Sequence, residues 1–297
     1  MKNLIISKKI ILVLIPVLSL YFGFLFDEDL STGGAKLDFH STLPAVTSFS
    51  NFVFANFYEY TRHFPLHYLI LSVPNYIFND VYAVRVAYLL FSLSLPIFVY
   101  LNLCKIYKVP KINCLMISAS LLFLPFFRTS AIWPNAHLTA LIFLVIANYF
   151  YIKSIPANKF FHKFTNIFFL ALSTYCVQSY AIFFIFYLYN YYQNDTKKNF
   201  LKLIVICFLF SLPGFYLILN NPRTGFVGLG FSNNLSYTII ANFSIIFFFI
   251  TFFLINKNNF FIMKKYFFGL NLFEILILIF LFCLLMFSYE EIGFSVG

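Results

Sequence analysis

The sequence predicts an all-α, polytopic integral membrane protein, with about nine transmembrane helices and further helices in a long first outer loop. Three observations predict this class: the composition, the length of the apolar runs and the distribution of lysine. Of the 297 residues, 62% are hydrophobic and 10% are charged, whereas soluble chains have about 45–50% apolar and about 25% charged residues. Several apolar runs approach the roughly 20 residues that cross about 30 Å of hydrocarbon as a helix.

The apolar runs continue from end to end, so we interpret residues 1–297 as a single transmembrane domain. The first run follows Lys8 and Lys9 and has no small-residue cleavage site before Asp27, which favours a retained helix over a signal peptide. The predicted spans lie near 10–26, 85–104, 112–127, 137–152, 164–177, 180–193, 200–219, 237–255 and 266–288.

The basic residues predict the orientation. With the N-terminus inside, every basic residue of the inner loops is a lysine, and Lys36 is the one lysine outside. This distribution agrees with the positive-inside rule. The net charge of +10 is therefore a topology signal, and no nucleic-acid partner is expected. The arginines are all placed outside, as are most of the carboxylates. This segregation predicts an outward-facing polar site, and the arginines concerned are Arg62, Arg85, Arg128 and Arg223.

The first outer loop, residues 27–84, is predicted to be structured. From Pro44 to Tyr60 the apolar residues recur at helical spacing, which predicts an amphipathic helix on the membrane surface with Pro44 at its first position. The segment from Pro65 to Phe78 reaches only about 21 Å as a helix, so we interpret it as interfacial or re-entrant, interrupted at Pro74. If it were a true span, the topology downstream would be inverted.

Acidic residues at two places in this loop are candidates for chemistry. Asp38 follows the Gly33-Gly34 pair, and a carboxylate at a low-dielectric boundary suits a general base, although a solvated loop aspartate is the alternative. The run Asp27-Glu28-Asp29 is either a polar collar that ends the first helix or a carboxylate site for a divalent cation.

Basic residues offer candidate phosphate ligands. Arg62 and His63 join the two loop helices, and Arg128 lies in the predicted second outer loop; guanidinium groups match phosphate oxygens, and histidine donates to phosphate or carries a proton. Binding of lipid head groups is the alternative for Arg62, and snorkelling for Arg85. We interpret Trp133 as an aromatic-belt residue, and Gln178 as a weaker candidate for sugar contacts.

No nucleotide-binding loop or hydrolase motif of the common types occurs in the sequence. A cytoplasmic enzyme that uses nucleotide sugars is therefore not expected.

The order of these features resembles that of a known family. A first span, an outer loop that begins with acids, a surface helix and the stretch from Arg62 to Tyr68 (Arg-His-Phe-Pro-Leu-His-Tyr) are followed by an arginine that opens the next span. This order is similar to the GT-C superfamily of membrane glycosyltransferases, which includes protein O-mannosyltransferases and lipid A aminoarabinose transferases. The resemblance covers about residues 1–195.

The resemblance implies transfer of a sugar from a polyprenyl-phosphate donor to an acceptor at the outer face of a membrane. It implies Asp38, or alternatively Asp27, as the catalytic carboxylate. Asp27-Glu28 has the family's position after the first span, and Asp38 has the Gly-Gly context. Arg62, His63, Arg128 and Arg85 would bind the lipid phosphate, and a divalent cation at Asp27 and Glu28 is one option for a cofactor.

Membrane lipids are the other expected partners, and the richness in Phe, Ile, Lys and Asn points to a bacterial inner membrane. A transporter or flippase for lipid-linked sugars and a non-catalytic membrane scaffold are the alternative functions. The chain is short for the family, and a fragment without later helices or an outer domain is one interpretation of its length.

Overall fold

A computed structural model of the chain describes residues 2–53, 61, 63–107, 110–157 and 159–220, and these residues contain helices and turns with no strand. They belong to one compact unit, Met1–Gly225. Helices make up almost the whole of this part because backbone groups in an apolar surrounding must bond within their own segment. The predicted spans near 237–255 and 266–288 lie outside the described residues.

The described helices follow one another with short connections. In chain order they are α1 (Lys2–Leu25), α2 (Gly34–Ser50), α3 (Leu66–Phe78), α4 (Val81–Ser92), α5 (Ser94–Ile106), α6 (Lys111–Ser120), α7 (Pro125–Ile132), α8 (Ala136–Ala157), α9 (Phe160–Cys176), α10 (Ile182–Asn194) and α11 (Lys197–Asn220). One-turn 3-10 helices follow α6 at Leu121–Phe123 and α9 at Gln178–Ala181.

Three stretches of the described chain are long and apolar enough to cross a membrane, namely Val81–Ile106, Ala136–Ile155 and Lys197–Leu219. The pair α6 and α7, bent by 62° at its break, makes a fourth if it is counted as one span. The described part of the chain is therefore all-helical and has three or four candidate membrane spans, whereas seven of the nine predicted spans fall in this part. α10 has 13 residues and reaches only about 20 Å, which is short of the hydrocarbon thickness.

Of the helix predicted from Pro44 to Tyr60, residues 54–60 lie outside the described residues, and the described part is placed differently in the structure. α2 begins at Gly34 and ends at Ser50, so Pro44 lies inside the helix rather than at its first position. Gly33 adopts a left-handed conformation, with φ at 91°, at the start of α2, as expected for a tight turn next to paired glycines. α3 continues through Pro74 instead of breaking there.

The second outer loop predicted around Arg128 is also helical. α7 places Pro125 at its start and buries Arg128. The helix predicted at 112–127 is in fact two helices, because the extended conformation of Leu124 ends the first and begins the second. Proline suits a first helical position because its missing N–H is unpaired there in any case.

α8 and α9 form the centre of the bundle through small and polar side chains. Ala140 and Ala147 on α8 are fully buried, and their carbonyls accept hydrogen bonds from Ser173 Oγ at 2.7 Å and from Asn166 Nδ2 at 2.8 Å on α9. Small residues allow helix backbones in a membrane to approach closely, and interhelical hydrogen bonds add to the packing.

An ion pair fixes the end of the bundle that the sequence places inside. Lys163 Nζ on α9 lies 2.5 Å from Asp195 Oδ2, and both side chains are almost fully buried. Asp195 also accepts hydrogen bonds from Thr196 N and Asn199 Nδ2 at the start of α11. Burial alone would raise the pKa of Asp195, but these bonds and Lys163 outweigh it, so the pKa lies below its ordinary value. The pair therefore connects α9 to the turn between α10 and α11.

We expect Lys163→Met to lower the free energy of unfolding by about 3 kcal/mol, because it leaves the Asp195 carboxylate buried without its counter-charge. Thermal unfolding of the purified protein in detergent measures the loss. Lys198→Met, at an exposed position of α11, is the matched control and should change stability by less than about 0.5 kcal/mol. Equal unfolding temperatures for the two variants would show that the pair does not stabilise the bundle.

Candidate functional site

The predicted outer end of α1 leads into a turn formed by Asp27, Glu28 and Asp29, here named the acidic turn. Asp27 has a left-handed backbone with φ at 52°. Asp29 accepts hydrogen bonds from Ser31 N at 2.8 Å and from Lys36 N at 2.9 Å, and so fixes the start of α2. Burial alone would raise the pKa of Asp29, but these hydrogen bonds outweigh it and the pKa is lowered. Asp29 is therefore a structural residue.

Glu28 of the acidic turn is paired with Arg128. The Arg128 Nε donates to Glu28 Oε1 at 2.7 Å, and Nη2 donates to both Glu28 Oε2 and the Ser19 carbonyl. Nη1 donates to Ser19 Oγ at 3.0 Å and, at 3.4 Å, to the Leu122 carbonyl. A guanidinium group has five N–H donors, so each donor of Arg128 has a partner. The hydrogen bond from Arg128 lowers the pKa of Glu28 against the opposing effect of burial.

Gly23 on α1 makes room for this pair. A Cβ atom at Gly23 would overlap the Glu28 carboxylate and lie 2.6 Å from Arg128 Nη2. The absence of a side chain at this position therefore lets the ion pair lie directly against the backbone of α1. The sequence analysis did not select Gly23, since the sequence does not show what packs against it.

Asp27 is paired with Arg85, and Trp133 lies against that arginine. Arg85 Nη2 donates to Asp27 Oδ1 at 2.7 Å, Nε donates to the Ile132 carbonyl at 3.2 Å, and Cζ lies 3.7 Å from the centre of the Trp133 ring. Trp133 Nε1 donates to the Glu28 carbonyl at 3.2 Å, and the residue is only 2% exposed. Trp133 is therefore a core residue that connects α4, α7 and the acidic turn, and its interpretation as an aromatic-belt residue was wrong.

These contacts bear on the predicted phosphate ligands. Arg85 does not snorkel, since its side chain is 9% exposed and paired with Asp27. Arg85 and Arg128 both bind carboxylates of the acidic turn, and in Arg128 no donor is left for a phosphate. Arg62, the third arginine that is predicted to bind phosphate, lies outside the described residues. Phosphate binding by these arginines stays a prediction, and the contacts of Arg85 and Arg128 favour a structural role.

The acidic turn does not offer an open set of carboxylates for a divalent cation. Glu28 and Asp27 both face guanidinium groups, and Asp29 is engaged by backbone N–H groups. Within the described ranges, no group of three or more His, Cys, Asp or Glu side chains has the spacing of a metal site. Because a cation would have to displace an arginine here, we derive no step through a metal.

A second set of polar side chains, named the histidine cluster, consists of His63, His67 and His137. The rings of His63 and His137 meet edge to face with centroids 5.1 Å apart. His63 also forms a side-chain hydrogen bond with Gln178. His67 is buried, and its Nδ1 lies 2.8 Å from Thr139 Oγ1 on α8. Three separate segments, those before α3, at the start of α8 and after α9, therefore meet at this cluster.

Asp38 is the carboxylate associated with the histidine cluster. It is exposed on α2, and it is close enough to His63 and to Tyr68 for its charge to act on both. The described residues give its carboxylate no hydrogen bond, while its backbone carbonyl accepts from Ser41 and Thr42. Asp38 is thus helical, unlike the loop residue of the alternative interpretation. The two predicted candidates differ: Asp27 is ion-paired, and Asp38 faces solvent.

His63 and His67 are held neutral. Burial, followed by the charge of His137, lowers the pKa of His63 from 6.5 to about 4, and this outweighs the opposing effects of Gln178 and Asp38. Burial, with the charges of His63 and His137, lowers the pKa of His67 to about 3. At neutral pH both rings therefore combine one donor with one acceptor.

A pH dependence of stability follows. Because the folded pKa of His63 is depressed, the unfolded state binds the proton more strongly between about 4 and 6.5, so stability is full above 6.5 and falls as the pH drops through this window. His67 acts in the same direction. We expect the thermal stability of the wild type in detergent to fall more steeply below pH 6.5 than that of His63→Gln. Parallel curves for the two proteins would contradict the assigned burial of His63.

The sequence analysis missed part of this cluster. It did not select His137, and it did not single out His67 within the Arg62–Tyr68 stretch. Gln178 is a hydrogen-bond partner of His63, and its contact with a sugar stays a prediction. The sequence signal for this cluster is the occurrence of polar residues at the predicted outer ends of several apolar segments. The sequence does not show which of these ends are neighbours in the fold.

Comparison of the chain with protein-family models, with curated protein sequences and with solved structures gives no match. The fold and the site define a helical membrane protein with a polar layer at one end of its bundle.

Proposed function

We propose that the protein is a glycosyltransferase that moves a sugar from a polyprenyl-phosphate donor to an acceptor at the outer face of a bacterial inner membrane. The observation that carries the proposal is the placement of the exposed Asp38 close to the neutral His63, whose ring meets that of His137, at one end of an apolar helix bundle. A carboxylate and a neutral imidazole at a membrane boundary are groups suited to acid–base chemistry on a sugar.

In this proposal Asp38 accepts the proton of the acceptor hydroxyl. The acceptor oxygen then bonds to the anomeric carbon, and the bond from that carbon to the phosphate oxygen breaks. Gln178 accepts from His63 and holds its imidazole beside the departing lipid phosphate, and Arg62 donates to that phosphate and supplies positive charge. Such donors stabilise the growing negative charge more strongly where water is scarce.

The structural pairs support the proposal indirectly. Arg128–Glu28 and Arg85–Asp27 hold the acidic turn against α4 and α7, and the acidic turn fixes the start of α2 through Asp29. Asp38 is therefore carried on a helix whose position is set by buried contacts, and such a helix keeps a reacting group in a productive geometry.

The transporter hypothesis has one observation in its favour, the 62° bend between α6 and α7, because broken helices at mid-membrane are typical of substrate sites in transporters. Here, however, the polar residue after the break is Arg128, whose donors are used by Glu28, Ser19 and Leu122. The arginine next to the break is therefore part of a structural ion pair and does not face a substrate site, which favours the enzyme over the transporter.

The test is transfer of label from a radiolabelled pool of polyprenyl-phosphate sugars to any acceptor in membranes that contain the protein. Transfer above that of membranes without the protein supports the enzyme. Exchange of label between the two leaflets with no covalent transfer would overturn the proposal in favour of a flippase.

A further inference from the structure

An apolar groove of about 520 Å³ lies between α9, α10 and α11. This volume is within the range of about 300–1,000 Å³ that small-molecule sites occupy. The described residues that line it include no charged side chain, and those used below are Phe64, Thr174, Tyr175, Ala181, Cys207, Ser211 and Gly214.

The hydroxyl groups in the wall of the groove are directed to helix carbonyls. Thr174 Oγ1 donates to the Leu170 carbonyl at 3.1 Å, and Ser211 Oγ donates to the Phe208 carbonyl at 2.7 Å. Since these donors are already used, the groove offers hydrocarbon contacts to its occupant. Burial of apolar surface is then the dominant attraction.

The third hydroxyl, that of Tyr175, is inserted into the backbone of α11. Gly214 N donates to Tyr175 Oη at 2.9 Å, and Tyr175 Oη donates to the Phe210 carbonyl at 2.5 Å. In a regular helix the Gly214 N–H would bond to the Phe210 carbonyl directly, and insertion of a side chain into this ladder next to a proline is a known cause of helix bending. Tyr175 on α9 therefore sets the position of α11 at Pro213 and Gly214.

The groove ends beside the histidine cluster. Phe64 lines the groove, is 4% exposed, and its ring centroid lies 5.9 Å from that of Tyr175. Its neighbour in the chain, His63, pairs with His137. An apolar channel and a polar cluster that meet at consecutive residues match a molecule with a hydrocarbon chain attached to a polar group.

We propose that this groove binds the hydrocarbon chain of the lipid-linked substrate, so that the phosphate at the end of the chain lies at the histidine cluster. This inference rests on the proposed function. Tyr175 is a positioning residue in it, since its hydroxyl holds the α11 wall of the groove. The groove selects the chain, and the histidine cluster selects the head group.

The experiment uses a long-chain polyprenyl phosphate with a photoreactive diazirine in its chain, bound to the purified full-length protein in nanodiscs. After irradiation, the labelled peptides are identified by mass spectrometry. We expect label on the α9, α10 and α11 peptides that line the groove. Ala181→Trp and Cys207→Trp, which fill the groove from two helices, should weaken binding about tenfold, because a few methylene groups lose their burial.

Ile185→Trp is the matched control, since Ile185 is on α10, 71% exposed, and does not line the groove. Its labelling should equal that of the wild type. An excess of unlabelled polyprenyl phosphate should remove the label, whereas an excess of phospholipid should not.

Label outside the groove, equal labelling in the two groove variants and the control, or competition by phospholipid would each overturn the inference, the last by assigning the groove to bulk lipid. The outcome is separable from that for the proposed function. Groove labelling without any sugar transfer would retain the lipid site and reject the enzyme. Sugar transfer with photolabel only outside the groove would retain the enzyme and reject the lipid site.

Discussion

Asp38→Asn is expected to lower sugar transfer by about 10²–10⁴-fold, the contribution of a positioned general base. Asparagine has nearly the same shape and removes only the ability to accept the proton. Asp38 is exposed and its carboxylate has no hydrogen bond from the described residues, so the fold should be unaffected. The measurement is transfer of label from a polyprenyl-phosphate sugar, with the unfolding temperature recorded in parallel.

Asp80→Asn is the matched control. Asp80 is another exposed carboxylate in the same predicted outer loop, and its side chain accepts from Tyr82 N and Ala83 N at the start of α4. Asparagine caps helices about as well as aspartate, so this variant should keep both activity and stability.

Asp27→Asn separates the two candidate bases. It removes the ion pair with Arg85, so we expect a lower unfolding temperature with transfer per folded molecule retained. Full activity of Asp38→Asn combined with inactive but folded Asp27→Asn would reverse the assignment. The left-handed backbone of Asp27 would then be strain held at a catalytic residue.

Arg128→Met is expected to lower the free energy of unfolding by about 3–5 kcal/mol, because Glu28 is left largely buried without its counter-charge. The double variant Arg128→Met, Glu28→Leu should lose less, since replacement of both partners removes the unpaired charge. A double-mutant cycle then gives the coupling energy of the pair. Trp133, the one tryptophan in the sequence, contacts the acidic turn, so its fluorescence reports local unfolding during heating.

Gly23→Ala tests the same pair without removing either charge. In a helix, alanine is favoured over glycine by about 1 kcal/mol, so a stabilising effect would be expected from propensity alone. We expect net destabilisation, because the new methyl group overlaps the Glu28 carboxylate.

Gly34→Ala is the control for Gly23→Ala. A Cβ atom at Gly34 would meet only the Ser31 side chain, with Oγ at 3.4 Å and Cβ at 3.9 Å, so this variant should be neutral or slightly stabilising. If Gly23→Ala is as stable as Gly34→Ala, the close approach of the ion pair to α1 is not required.

The class of the fold could be read from the sequence because it depends on local properties. The apolar runs and the first turn at Gly33 are each set by a few neighbouring residues. The boundaries of α2 were harder to predict from the sequence, since its start depends on the hydrogen bond from Lys36 N to the Asp29 carboxylate. That contact shifts the helix upstream of the predicted range and places Pro44 inside it.

The sequence by itself determined that this protein is helical, that it has membrane-spanning segments and which polar residues lie at their ends. The tertiary structure alone decided how those residues pair. Arg128 binds Glu28 across 100 positions of sequence, and Arg85 binds Asp27 across 58, and these contacts favour structural roles for two predicted phosphate ligands. Such pairs depend on the angles and offsets at which whole helices pack, and these are set by the sum of many side-chain contacts rather than by any local pattern.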